Sequence, residues 1–136
     1  LEQYQYNLAQ VGTVVDIPVG NIYYRIQTTS TSQLRLYLLP IEAAVPVLVD
    51  VKRFSQYETS GVEGPSVNDY TLNALLDLDV TVYSRSLEYN VVRIRQQDPQ
   101  GGLWSLCDVT IFPSASGART SVWVQWWERD VTYITP

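Results

Sequence analysis

Between Arg119 and Thr135 the chain reads RTSVWVQWWERDVTYIT. Taken by twos, Val122, Val124 and Trp126 fall on one face, and Trp123, Gln125 and Trp127 on the other. Period-two alternation rich in β-branched and aromatic residues predicts a strand. Large apolar groups on both faces require cover on both sides, from a second sheet on one and from a sheet or partner on the other. The triplet Glu128-Arg129-Asp130 interrupts the pattern before Val131 and Tyr133 resume it, which predicts a bulge or the exit from the sheet. The rest of the chain must supply the layers around this strand.

The preceding sequence supplies them as short strands. Tyr4, Tyr6 and Leu8 alternate, and Val14, Val15 and Ile17 lead to a turn at Pro18-Val19-Gly20. Ile22, Tyr24 and Ile26 alternate with Tyr23, Arg25 and Gln27 in a half-buried pattern. The polar run TTSTS (28–32) reads as a loop, and Leu34, Leu36 and Leu38 as a strand stopped by Pro40. Val45 to Val51 alternate again, with Pro46 predicting an edge or a strand start. SQYETSGVEGPSVND, Ser55 to Asp69, reads as a long functional or mobile loop. Tyr70 to Leu76 reads as a helical turn capped by Asn68 or Asp69. Leu78 to Val82, Val92 to Arg95 with one wet face, and Leu103 to Phe112 complete the strands, and Asp98-Pro99-Gln100-Gly101-Gly102 is a strong turn. These segments predict one all-β domain over 1–136: an antiparallel β-sandwich of eight or nine strands, of jelly-roll or Greek-key type, with a closed barrel as the alternative.

Composition bears on function mainly by exclusion. The chain has no histidine, so Ser-His-Asp and Cys-His catalysis and histidine metal clusters are impossible. A single cysteine, Cys107, excludes an internal disulfide framework and reads as a buried strand residue. The net charge of −5, with Lys52 the one lysine and eight scattered arginines, argues against direct nucleic-acid binding. No apolar run is long enough for a membrane span. Leu1-Glu2-Gln3-Tyr4 begins no signal peptide, and without a methionine the sequence reads as cut from a longer polypeptide or as an excised domain. No cofactor is expected, and the chain is not read as an enzyme. Asp77 and Asp79, on one face of a strand, are the weak candidates for calcium or glycosidase chemistry, and a solvated strand start is the simpler reading. Glu58, Glu63 and Asp69 in the long polar stretch match no EF-hand spacing.

The aromatics offer more. The chain has four tryptophans and ten tyrosines. Trp126 is expected in the sandwich core, with Trp123 and Trp127 at an interface between subunits. Trp104, Trp123, Trp126 and Trp127, with the ten tyrosines, are alternatively the rings of a flat sugar-stacking platform, and Trp104, Trp123 and Trp127 are the candidates for interface or ligand contact.

One family resemblance follows from named stretches. NALLDLDVTVYSRSLEYNVVRI, from Asn73, looks like consecutive jelly-roll strands of picornavirus-like capsid proteins. GGLWSLCDVTIFPSASGARTSVWVQWWERDVTYITP is similar to the last two strands of those proteins. The shared pattern is carried by Gly102, Pro113, Gly117, Val122, Val124, Trp127-Glu128 and Ile134-Thr135-Pro136; SQLRLYLLP is similar to a family strand ending in proline. The short chain and the lack of a basic N-terminal arm depart from the family and imply a small subunit or a protruding domain. The resemblance implies a structural role in the virion, assembled in the host cytoplasm from copies of itself and other capsid subunits. It also implies contact with a host receptor or glycan through Ser55 to Asp69, where Tyr57 and Glu58 are the candidates. The rival reading is a non-catalytic carbohydrate-binding module, and a glycan-processing enzyme using Asp77 or Asp79 stands third.

Overall fold

A computed structural model describes residues 1–57, 60–78, 83–84 and 87–136. Among these residues there are eleven strands: β1 (Glu2–Tyr6), β2 (Val14–Val19), β3 (Ile22–Ser30), β4 (Gln33–Pro40), β5 (Val47–Tyr57), β6 (Ser60–Leu72), β7 (Leu76–Asp77), β8 (Tyr83–Ser84), β9 (Tyr89–Gln97), β10 (Trp104–Ser114) and β11 (Arg119–Val131). Six form one sheet in the order β1-β11-β10-β9-β5-β6, and β2-β3-β4-β7 form the other, with β8 also paired to β4. Every pairing is antiparallel. The architecture is an antiparallel β-sandwich, as the alternation predicts. Hairpins join β2-β3-β4, β5-β6 and β9-β10-β11, and the chain crosses between sheets four times. One crossing brings β9 in beside β5, the return that gives Greek-key character. No described helix is long and apolar enough to cross a membrane.

The inner faces follow from period-two alternation. Ile22, Tyr24 and Ile26 of β3 and Leu34, Leu36 and Leu38 of β4 meet Val92, Ile94, Val109, Ile111, Val122 and Val124 of the larger sheet in one buried cluster. Each fully buried aliphatic side chain contributes about 1.5–3 kcal/mol. Polar clasps tie the layers together. Gln96 of β9, 2% exposed, accepts from the Asn21 N–H at 2.8 Å and donates to the Val19 carbonyl at 2.9 Å, so it holds the β2–β3 turn of the opposite sheet. That turn needs Gly20, whose φ is +63° and whose missing Cβ would lie 2.6 Å from Gln96 Oε1. At the other crossing, Thr28 Oγ1 donates to the Leu8 carbonyl at 2.7 Å.

Two expectations fail along the middle of the chain. Ser55–Asp69 is no long loop: β5 runs to Tyr57, β6 begins at Ser60 and takes in the rest, and 58–59 lie outside the described residues. Tyr70 to Leu76 is no helical turn, since β6 runs to Leu72 and β7 begins at Leu76. Register shifts between Val49 and Val51 and between Lys52 and Phe54 bend this ladder, and Asp69 adopts a φ of 54° with its N–H bonded to Asp50 Oδ1 at 2.7 Å. Bulges destroy period two, and Gly61, Gly64 and Pro65 conceal the strand further. Pro65 is tolerated because β6 is an edge. Gly64 is required for packing, because a Cβ there would collide with the buried Arg53 side chain. The strand count exceeds nine through β6 and the two-residue β7 and β8; of the expected strand Leu78 to Val82, Leu78 is not in a strand and 79–82 lie outside the described residues.

Candidate functional site

The outer face of the six-stranded sheet follows from the same alternation. With Val122 and Val124 turned inward, Trp123 and Gln125 point out. Trp123 stands opposite Gln3 on one side and Thr110 on the other; Thr110 faces Val91, and Val91 faces Phe54. Phe112 and Tyr89 lie one step beyond the Ile111–Asn90 pair, and they and Phe54 are each well over a third exposed. The next row is charged, running from Asp108 through Arg93 to Lys52. Arg95 and Asp50 oppose one another in the row after that.

β11 supplies the most exposed ring through a bulge. Cys107 pairs with Trp126 but Leu106 pairs with Glu128, so Trp127 is the extra residue. The bulge lets Trp127 and Glu128, consecutive in sequence, both serve the outer face. Trp127 is 55% exposed, yet its Nε1–H donates to Asp108 Oδ2 at 3.1 Å. Asp108 in turn takes both forks of Arg93, at 2.8 and 2.9 Å. Those Arg93 bonds are the main reason its carboxyl lies below the usual range; burial opposes them and the Trp127 bond adds to them. Glu128 accepts from Tyr133 Oη at 2.6 Å, while Arg95 Nε donates to the same hydroxyl at 2.8 Å. The Tyr133 ring lies 6.1 Å from that of Trp104 in a tilted pair. Trp104, Tyr133, Trp127 and Trp123 thus share the outer face as a strip interrupted by Gln125, with only Trp104 and Tyr133 in ring contact, and the polar tips of Tyr133 and Trp127 are fastened to neighbouring charges.

Trp126 takes the inward side, packed against the core, with Nε1 donating to Glu2 at 2.8 Å and the Arg129 guanidinium 4.1 Å above its ring. Cys107 beside it is fully buried, and burial above all pushes its thiol up to about 12. A cleft of about 230 Å³ at this end of the sandwich is lined by Asn21, Gln96, Asp98, Ser105, Trp126 and Arg129, among others.

The strip therefore gathers three of the residues singled out in the sequence, Trp104, Trp123 and Trp127. Tyr57 ends β5 at the hairpin tip on the far side of the same sheet, and Glu58 lies outside the described residues. Asp77 is on the other sheet, where it forms an ion pair with Arg35; Asp79 lies outside the described residues. No group of three or more Cys, Asp or Glu among the described residues is gathered to hold a metal. Asp108, Arg93, Arg95 and Tyr133 are residues of this face that sequence reasoning did not single out. The wet face of β9 signalled the two arginines, but the partnerships with Asp108 and Tyr133 needed the register. No protein-family model, curated protein or solved structure matches this chain.

Proposed function

We propose that this chain is a structural, non-catalytic β-sandwich that assembles with copies of itself through the outer face of its six-stranded sheet, as a capsid subunit or capsid-protrusion domain of a virion does. One observation carries the reading: Trp127, 55% exposed and hydrogen-bonded in place, stands on one face with Trp123, Phe112, Tyr89 and Phe54. Exposed apolar patches of this kind mark interaction sites, and Trp, Tyr and Arg supply most interface hot spots. A second copy is the favoured occupant because the face carries both signs close together, Asp108 beside Arg93 and Asp50 beside Arg95. A two-fold contact can then set acids against arginines across the interface. The capsid assignment itself rests on the resemblance of β10 and β11 to the closing strands of picornavirus-like capsid proteins.

The second reading is a carbohydrate-binding module, favoured by the Trp127 ring, 55% exposed with its Nε1–H bonded to Asp108. Light scattering after size exclusion separates the two. Self-assembly predicts a dimer or larger closed species that Trp123→Ser with Trp127→Ser reduces without altering the melting curve of the subunit. A monomer whose tryptophan fluorescence is quenched by an oligosaccharide would replace assembly with glycan binding.

A further inference from the structure

We propose that the free edge of β1 pairs with β1 of a second copy, antiparallel and centred on Tyr4, joining two six-stranded sheets into one continuous sheet. This contact goes beyond the aromatic face: it uses the backbone edge of β1, which the aromatic face adjoins only at Trp123. A face-to-face two-fold contact closes on itself, so growth beyond a dimer needs a different second surface.

Of the four sheet edges among the described residues, the one made by β7 and β8 along β4 offers only two-residue strands, too short to template a partner strand; the other three can be compared. β2 borders the five-stranded sheet and carries Pro18, with Asp16 bound to Arg25 beside it. β6 borders the six-stranded sheet and is bent by two register shifts and carries Pro65. Proline, charge and bulges are the devices that keep edges from pairing with another chain. β1 has none of them in its middle. It reads EQYQY, with no proline or lysine, and it pairs with β11 from Glu2–Val124 to Tyr6–Thr120 without a shift. Its outer side offers a row of backbone donors and acceptors on a flat strand, the template for strand addition.

The sequence of β1 is also complementary to itself. Centring the two-fold on Tyr4 pairs all five residues: Tyr4 with Tyr4, Gln3 with Gln5, and Glu2 with Tyr6. Gln3 and Gln5 then face each other on the outer surface, where amides can exchange hydrogen bonds, and on the side packed toward the core Tyr4 meets Tyr4 while each Tyr6 faces a Glu2. The two acids are never opposed. A shallow groove of about 290 Å³ follows this edge on the outer face, lined by Leu1, Gln3, Gln5, Ser121 and Trp123, and the second copy's glutamines would reach over it.

The test uses charge at the paired positions. In Gln3→Lys with Gln5→Lys, each lysine stands about 5 Å from a lysine of the partner, which opposes pairing. The same change lowers the chain's net negative charge of −5, so general repulsion between copies falls and cannot explain a loss of assembly. By light scattering, the double-lysine chain is expected to lose the β1 contact and halve the assembly mass. Mixing it with Gln3→Glu, Gln5→Glu chain is expected to restore that mass as a strictly mixed species. The proposal is overturned if the lysine chain keeps the wild-type mass, if mixing restores nothing, or if the wild-type chain is monomeric at its solubility limit. Trp127→Ser, which lies away from the β1 groove, reads the other contact: a mass lost there but kept in the lysine chain leaves the aromatic-face reading intact and sinks this one.

Discussion

Replacing Gln96 by alanine removes the clasp between the sheets, and its cost can be worked from the two bonds. The Val19 carbonyl and the Asn21 N–H lose their partners together. A buried backbone group left unpaired costs about 1–3 kcal/mol. Val19 is fully buried and bears the whole cost, whereas Asn21 is half-buried and water offsets part of its share. The expected loss is therefore about 2–4 kcal/mol, which at this chain length lowers the melting temperature by about 7–14 °C. Gln96→Glu separates geometry from polarity. Its ionised form sets a carboxylate oxygen against the Val19 carbonyl, while its protonated form restores a donor there. The folded-state pKa of that glutamate must therefore rise above its unfolded value of about 4.3. The native state then holds more protons than the unfolded one, so the variant's stability relative to wild type is greatest below that unfolded value and is lost as pH climbs through the folded one. Urea unfolding followed by tryptophan fluorescence across this range reads both variants. An alanine variant within about 0.5 kcal/mol of wild type, or a glutamate variant whose pH profile parallels wild type, would refute the clasp.

Asp108 and Cys107 give two further tests. Because Arg93 holds the Asp108 carboxyl below its ordinary range, the bond contributes stability that is complete above about pH 4 and lost as pH falls through the lower folded-state value. Asp108→Asn should flatten the acid limb of thermal stability and, with Arg93 well exposed, cost at most about 1 kcal/mol at neutral pH; an unchanged acid limb would show that the bond does not form. Cys107, with its thiol pushed to about 12 by burial, should react with an aromatic disulfide reagent at neutral pH only as fast as the protein unfolds, and fast labelling in native buffer would contradict its burial.

How far the fold could be read depended on whether period two survived. β3, β4 and β9 keep strict alternation, and their inward and outward residues fall where the pattern puts them, down to Arg93 and Arg95 on the wet side of β9. β6 does not. Asp69 at positive φ, two register shifts and Gly64 beneath Arg53 are each consequences of pairing with β5, which lies just across the hairpin but whose contacts leave no periodicity in β6 itself to read. A polar, glycine-bearing stretch then reads as a loop although one side of its backbone is paired along β5.

The same bulge logic decides what was legible at the site. Alternation alone assigns Trp123 and Trp127 to one face and Trp126 to the other, and the structure agrees. It then sends Glu128 inward, because even spacing from Trp126 carries it there. The Leu106–Glu128 pairing reverses that assignment, since the residue inserted at Trp127 shifts everything after it by one. Glu128 therefore reaches Tyr133, Tyr133 meets Arg95 and Trp104, and the aromatic strip extends past the end of β11. The interruption at Glu128-Arg129-Asp130 was visible in the sequence as a break. What the break does, turning a charged residue outward to fasten a tyrosine, follows only from the strand beside it.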